Sequence, residues 1–175
     1  MISPNELVFA VDQDDNPIVP VLRSKAHAEG VWHRISQIWV INKNKQILCQ
    51  RRSLSKDNNP GKWETFFGGH VAPGESYEEG AVKEVREELG LSLTLLDLHF
   101  FTKVKSEVSK HMQSGFYIIW NGAIADLQIE KEEIEEVVWK DFLEVEKILL
   151  MQKSPEWVHV KYEKEMIEYL RNLIV

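Results

Sequence analysis

Between Asn58 and Gly90 the chain changes character once, and sharply. Residues 58–74 carry Pro60, Gly61, Gly68, Gly69, Pro73 and Gly74, too many breakers for a helix. Ser76 then stands three residues before Glu79, the capping box of a helix N-terminus, and Gly90 suits the left-handed position that ends one. The spacing predicts a helix over 77–89. Along it Tyr77, Ala81, Val85 and Leu89 recur every four residues as an apolar stripe, while Glu84, Glu87 and Glu88 fall at i, i+3 and i+4. At roughly 100° per residue these carboxylates share one face, centred about 100° from the stripe. Such crowding repels unless a divalent cation offsets it, and hard oxygen ligands in this number suit Mg²⁺ or Mn²⁺ bridging to phosphate. The preceding glycine-rich turns set backbone amides and a helix N-terminus beside the same carboxylates.

Composition narrows the partners. At 175 residues, 43% hydrophobic and 28% charged, the chain matches one globular domain with a real core. A formal charge of −7 disfavours a nucleic acid polymer held by bulk electrostatics. The charge is also segregated: residues 75–88 and 126–146 are rich in acids, whereas 43–62 carries Lys43, Lys45, Arg51, Arg52, Lys56 and Lys62 against Asp57 alone. Acids beside a cationic stretch suit a metal-bridged polyanion such as a diphosphate, or else solvated helix faces beside a basic hairpin. One cysteine, Cys49, can form neither an internal disulfide nor a cysteine-rich zinc site, and no apolar run reaches membrane-spanning length. The expected location is therefore the cytoplasm, with no membrane partner.

Elsewhere the pattern gives an N-terminal hairpin turning over Asp12–Pro17, an irregular polar stretch over 24–33, and a second hairpin, ISQIWVIN and QILCQRR, about Asn42–Asn44. Strands are expected within 91–104, 115–125 and 135–142, and amphipathic helices over 142–151 and 159–173.

Gly69 to Leu91, GHVAPGESYEEGAVKEVREELGL, resembles the Nudix box, G-x5-E-x7-R-E-U-x-E-E-x-G-U with U a bulky aliphatic. Gly69, Glu75, Glu84, Val85, Glu87, Glu88, Gly90 and Leu91 match, and Lys83 departs from the family's Arg. The resemblance implies an α/β (α+β) fold, a Nudix-like α/β/α sandwich with a mixed β-sheet. It implies one Nudix domain over 1–175: a hairpin extension (1–33), the Nudix core (34–142) and C-terminal helices (143–175). It also implies metal binding and catalysis by Glu84, Glu87 and Glu88, a Glu75 paired with the basic residue now supplied by Lys83, and a structural Gly90. Lysine keeps the charge there and loses the bidentate fork.

Over about residues 7–142 the chain is also similar to isopentenyl-diphosphate isomerase, through His33-Arg34, Pro60-Gly61-Lys62-Trp63 and Gly69-His70. That isomerase uses a cysteine where this chain has Gly68, and a histidine-rich metal site to which His33 and His70, with His27 at an open register, correspond. Arg51, Arg52, Lys62, Gly69 and His70 are the candidate substrate contacts, with solvated loop charges the alternative for the cationic residues and a structural role the alternative for His70. Trp63, Phe66, Phe67, Phe116 and Trp120 serve as stacking surfaces or as core, and Glu133, Glu135 or Glu136 is a surface acid or completes the metal site. The expected activity is Mg²⁺- or Mn²⁺-dependent hydrolysis of the diphosphate linkage in a nucleoside diphosphate derivative or other organic diphosphate. The rivals are an isomerase, disfavoured by Gly68, and a nucleotide-sensing module without catalysis. A homodimer is left open.

Overall fold

The computed structural model describes residues 6–152, 154–160 and 162–174. The helix set by Ser76 and Gly90 is realised as α2, Tyr77–Leu89. The Ser76 hydroxyl accepts from Glu79 N–H, the Glu79 carboxylate accepts from Ser76 N–H, and Gly90 adopts φ 71°. Its stripe is buried: Ala81, Val85 and Leu89 pack against Ile38, Val40, Phe67, Phe116 and Ile118 of the sheet. Each such aliphatic contributes about 1.5–3 kcal/mol, so a charge at Val85 would break this layer.

The sheet is mixed. Strands β3 (His33–Ile41), β4 (Gln46–Arg52), β5 (Trp63–Glu64), β6 (Phe67–His70), β7 (His99–Ser106), β8 (His111–Ile119) and β9 (Ile134–Asp141) form it. β3 runs parallel to β8 along its whole length and antiparallel to β6 over Ile35–Ile38. Alternation sends Ile38 and Val40 to α2 and Trp39 and Ile41 to the opposite face, where they meet α3 (Phe142–Glu146) and α4 (Glu163–Ile174). Val145, Leu149, Met166, Ile167 and Leu170 complete that second core. Helices thus cover both faces, and the expected sandwich architecture is present.

The N-terminal hairpin is short: β1 (Leu7–Val8) pairs with β2 (Val21–Leu22), and Asp12 caps the turn by accepting from Asp14 and Asn16 N–H. Three local expectations are corrected. Residues 24–33 are not irregular throughout, because α1 forms over Arg23–Glu29 and ends at left-handed Gly30. The breaker-rich loop contains β5 and β6. Residues 92–98 are not strand: Leu95–Asp97 make a tight turn, with Thr94 N–H and hydroxyl bonded to the Asp97 carboxylate. No helix among the described residues is long and apolar enough to cross a membrane.

Candidate active site

Strand β6 is the hinge between two clusters. Gly68 donates its backbone N–H to Glu88 Oε2 at 3.0 Å, and Gly69 leaves room for the Glu84 carboxylate. Glu84, Glu87 and Glu88 line one cleft of ≈ 330 Å³ with Glu6, Arg23, Lys83 and Glu133. Glu88 is buried, Glu84 half-buried and Glu87 exposed. Burial first, and then Glu87, pushes the Glu84 carboxyl up to about 8. Glu88 is also held well above the usual carboxylate range, by burial and by Glu84, with the Gly68 N–H opposing. Neighbouring acids that resist ionising together are a donor set suited to a hard divalent cation.

Around this cleft, Glu75 accepts from Ala72 N–H at 3.1 Å and stands 4.0 Å from Lys83 Nζ. Arg51 pairs with Glu135 and Glu136, each at 3.5 Å, and Arg52 donates to buried Glu64 at 2.9 Å. Neither they nor Lys62 line the carboxylate cleft; Arg52 lines a separate cavity with Gln37 and His111. Phe66, Phe67 and Phe116 are core, while Trp63 stacks on Trp157 and Trp120 on Trp139.

The second cluster is of histidines. His27 on α1, His33 opening β3, His70 closing β6 and His111 opening β8 bring one ring nitrogen each within 4.8 Å of the others. The sequence points to His27, His33 and His70; His111 is an addition of the fold. It carries no local motif and meets His33 only because β8 lies parallel to β3 in that register. His70 therefore joins the histidines, and through its Nδ1, 3.3 Å from Glu6 Oε1, touches the carboxylate cleft.

The model of the NUDIX domain family matches residues 31–161, which takes in both the capped helix and the sheet around it. The chain belongs to the Nudix hydrolase family. It is 35% identical over 134 residues to an uncharacterized Nudix hydrolase of Yersinia pestis, covering 77% of this chain and 72% of that protein. An uncharacterized Nudix hydrolase of Streptomyces coelicolor is 30% identical over 146 residues, covering 82% and 77%. An isopentenyl-diphosphate Delta-isomerase of Salmonella heidelberg is 32% identical over 154 residues, covering 83% and 82%. In fold, a crystal structure from Deinococcus radiodurans superposes with TM-score 0.73 at 20% identity, covering 94% of this chain and 99% of that one. In this Nudix chain the isomerase likeness meets a steric obstacle. Gly68 has φ 132°, and a Cβ built on it would stand 2.1 Å from the Ser36 carbonyl oxygen. The backbone here accommodates no cysteine without shifting.

Proposed function

We propose that this Nudix protein hydrolyses the diphosphate linkage of a small organic diphosphate, such as a nucleoside diphosphate derivative, with Mg²⁺ or Mn²⁺ held by Glu84, Glu87 and Glu88. The carrying observation is that two of these glutamates are built into the fold at β6, one against Gly69 and one on the Gly68 N–H, while the third faces the open cleft. When bound, the cation supplies charge neutralisation of the diphosphate oxygens and activation of a water.

The remaining roles fall to the chain itself. Glu88 is oriented by Gly68 N–H, and Glu84 is confined by the close approach of β6. Lys83 positions Glu75, and Arg23, lining the same cleft, offers a planar donor to a phosphate. Glu133, from the loop before β9, lines the cleft as does Glu6, and is an acid outside the helix suited to accept a proton, with Lys56 as its ion-pair partner. Burial of Cys49, which pushes its thiol up, leaves it inert and suits a reducing cytoplasm.

A panel of nucleoside diphosphate derivatives and other organic diphosphates, assayed with Mg²⁺ and with chelator, tests this reading through the phosphate-containing products. Cleavage that needs the cation supports it. Specific binding of a nucleotide without turnover across the panel would replace it with the sensing reading.

A further inference from the structure

The carboxylate cleft accounts for a diphosphate and leaves the organic group attached to it without a place. A cavity of ≈ 440 Å³ adjoins the cleft on the face of the sheet opposite α2, with Ile35, Gln37, Arg52, Glu64, Phe66 and Gln113 in its wall. Strand β3 sets the two spaces apart by alternation. Ser36 turns to α2, where its hydroxyl donates to the Tyr77 carbonyl oxygen, and Gln37 turns the other way into the cavity. Gly68, paired with Gln37 in the β3–β6 register, stands between them, since its N–H goes to Glu88 in the cleft. The β4–β5 loop borders both spaces, with Lys56 on Glu133 of the cleft and Asn58 on the cavity.

Gln37 is the anomaly in this cavity. It is 6% exposed, and its Oε1 is buried with no hydrogen-bond partner among the described residues. Buried acceptors left in this state are rare in folded proteins, and an aliphatic side chain of similar length would pack beside Ile35 and Phe66 without that cost. The charged residues of the wall do not satisfy it. Arg52 donates from Nη1 to Glu64 Oε2 at 2.9 Å and from Nε to the Asn58 carbonyl oxygen at 3.0 Å, so the wall itself takes up the guanidinium and the pair offsets its own charge. What the cavity offers a ligand is an amide, acceptor beside donor, among apolar side chains.

We propose that this cavity receives the organic group of the diphosphate substrate, and that Gln37 selects a neutral heterocycle with an N–H donor beside an acceptor, such as the edge of a nucleobase, over a hydrocarbon chain. That role rests on the hydrolase reading and narrows its substrates. A side-chain amide meets such an edge with two hydrogen bonds, the pairing by which Gln and Asn read bases in general. Volume does not choose, because a cavity of this size admits a heterocycle and an alkyl chain alike. The amide chooses: a pocket built to hydrogen-bond one group rejects an analogue lacking it, since the buried polar atom is then left unpaired.

The same residue weighs against an isoprenoid diphosphate on grounds independent of Gly68. Gly68 bears on the chemistry, because it has no side chain to deliver a proton, whereas Gln37 bears on binding, because a hydrocarbon leaves its carbonyl oxygen orphaned. Gln113, the register partner of Ile35 on β8, brings a second amide into the cavity beside the apolar Ile35 and Phe66.

Initial rates with Mg²⁺ are measured on the full chain for the common ribonucleoside diphosphates and for pentyl diphosphate, which share the diphosphate and differ in the group attached. At least one nucleoside diphosphate should exceed pentyl diphosphate in kcat/KM by about 100-fold or more. Gln37→Leu should bring the two within about 10-fold, by a loss on the nucleoside diphosphate and a gain on pentyl diphosphate, whereas a merely structural defect lowers both. Glu87→Gln should lower both and keep their ratio. Circular dichroism shows whether Gln37→Leu folds, and the comparison within the parent chain needs no variant. Pentyl diphosphate turned over within about 10-fold of the best nucleoside diphosphate, or an unchanged preference in folded Gln37→Leu, would overturn the proposal. If no diphosphate is cleaved, here or across the broader panel, the hydrolase reading fails by itself, and calorimetry with the nucleoside monophosphates and pentyl phosphate tests Gln37 separately. A preference of at least about 10-fold for a nucleoside monophosphate, lost in Gln37→Leu, upholds its role, and the absence of that preference overturns it.

Discussion

The Glu84 carboxylate occupies the space that a side chain on Gly69 would need. A Cβ built on Gly69 stands 2.7 Å from Glu84 Oε1 and 2.9 Å from Oε2. The clash is with the far end of a flexible side chain rather than with backbone, so Gly69→Ala is accommodated by pushing Glu84 aside. We expect Mg²⁺-dependent turnover to fall about 10²-fold, as misplacement by an ångström can cost, with little change in Tm. Unchanged turnover in a normally folded variant would remove Glu84 from the working site.

Glu87 differs from its neighbours in facing solvent, so its substitution probes the site with the least disturbance of the core. Glu87→Gln keeps the shape and deletes one charge. Turnover should drop at least about 10²-fold, the usual order for a group stabilising transition-state charge. Because the charge on Glu87 also helps raise the Glu84 carboxyl, the metal-free variant should be no less stable than its parent. Parental turnover would exclude Glu87 from metal binding.

Much of this was legible in the sequence, and the limits are physical. Helix α2 was readable because its caps and stripe are local: Ser76 and Glu79 satisfy each other, and Gly90 supplies the left-handed end. The common face of Glu84, Glu87 and Glu88 was readable too, but not their unequal burial, which β6 imposes from outside the helix. α1 leaves no such signal, because seven residues from Arg23 to Glu29 are too few to show a helical period. Leu95 and Leu96 mislead a strand expectation, since both are exposed in a turn. His111 was illegible for a stronger reason: its neighbours His33 and His70 are set by a parallel crossover and by a three-strand register, neither of which leaves a trace in local spacing.

The raised carboxylates give a pH signature. Glu84 titrates near 4.5 when unfolded and at about 8 when folded, and Glu88 is displaced in the same direction. The folded chain then binds more protons than the unfolded one across that window, so this contribution is fully present below 4.5 and lost as pH rises through 8. His33 and His111, lowered from 6.5 to about 4 and about 3, act oppositely: their contribution is present above 6.5 and lost on acidification. Above pH 6.5 only the carboxylates still act. In chelator the Tm should therefore fall by about 5 °C between pH 6.5 and 8.5, and millimolar Mg²⁺ should remove most of that fall. A flat profile over that range in chelator would count against crowded buried carboxylates.

Lys83 and Glu75 define an imperfect ion pair. At 4.0 Å, with both side chains about one-third exposed, the pair is loose and worth little to stability. Arginine offers a planar fork that grips a carboxylate with two hydrogen bonds. Lys83→Arg is expected to leave kcat/KM unchanged or raise it up to about 10-fold, with Tm within about 1 °C. A loss of activity on this substitution would mean that lysine is tuned for this cleft, with its smaller head needed for substrate rather than for Glu75.

Gly68 decides between hydrolase and isomerase more directly than any other residue. The isomerase-like reading needs an acid at this position, and Gly68→Cys would install the residue type that the resemblance implies. The backbone resists it. φ is 132°, a Cβ would meet the Ser36 carbonyl oxygen at 2.1 Å and Gln37 Cα at 3.1 Å, and both contacts are with backbone of β3, which cannot rotate away. The same residue donates its N–H to Glu88, so any shift that relieves the clash moves the Glu88 carboxylate in the cleft. Backbone strain of this kind costs about 1–3 kcal/mol, and Tm should fall by at least about 3 °C. We expect neither the parent chain nor Gly68→Cys to convert isopentenyl diphosphate to its allylic isomer, since proton delivery to carbon needs a positioned acid. Isomer formed by the parent in proportion to enzyme would overturn the hydrolase reading. Isomer formed by Gly68→Cys alone would show instead that β3 and β6 separate more readily than their close packing indicates.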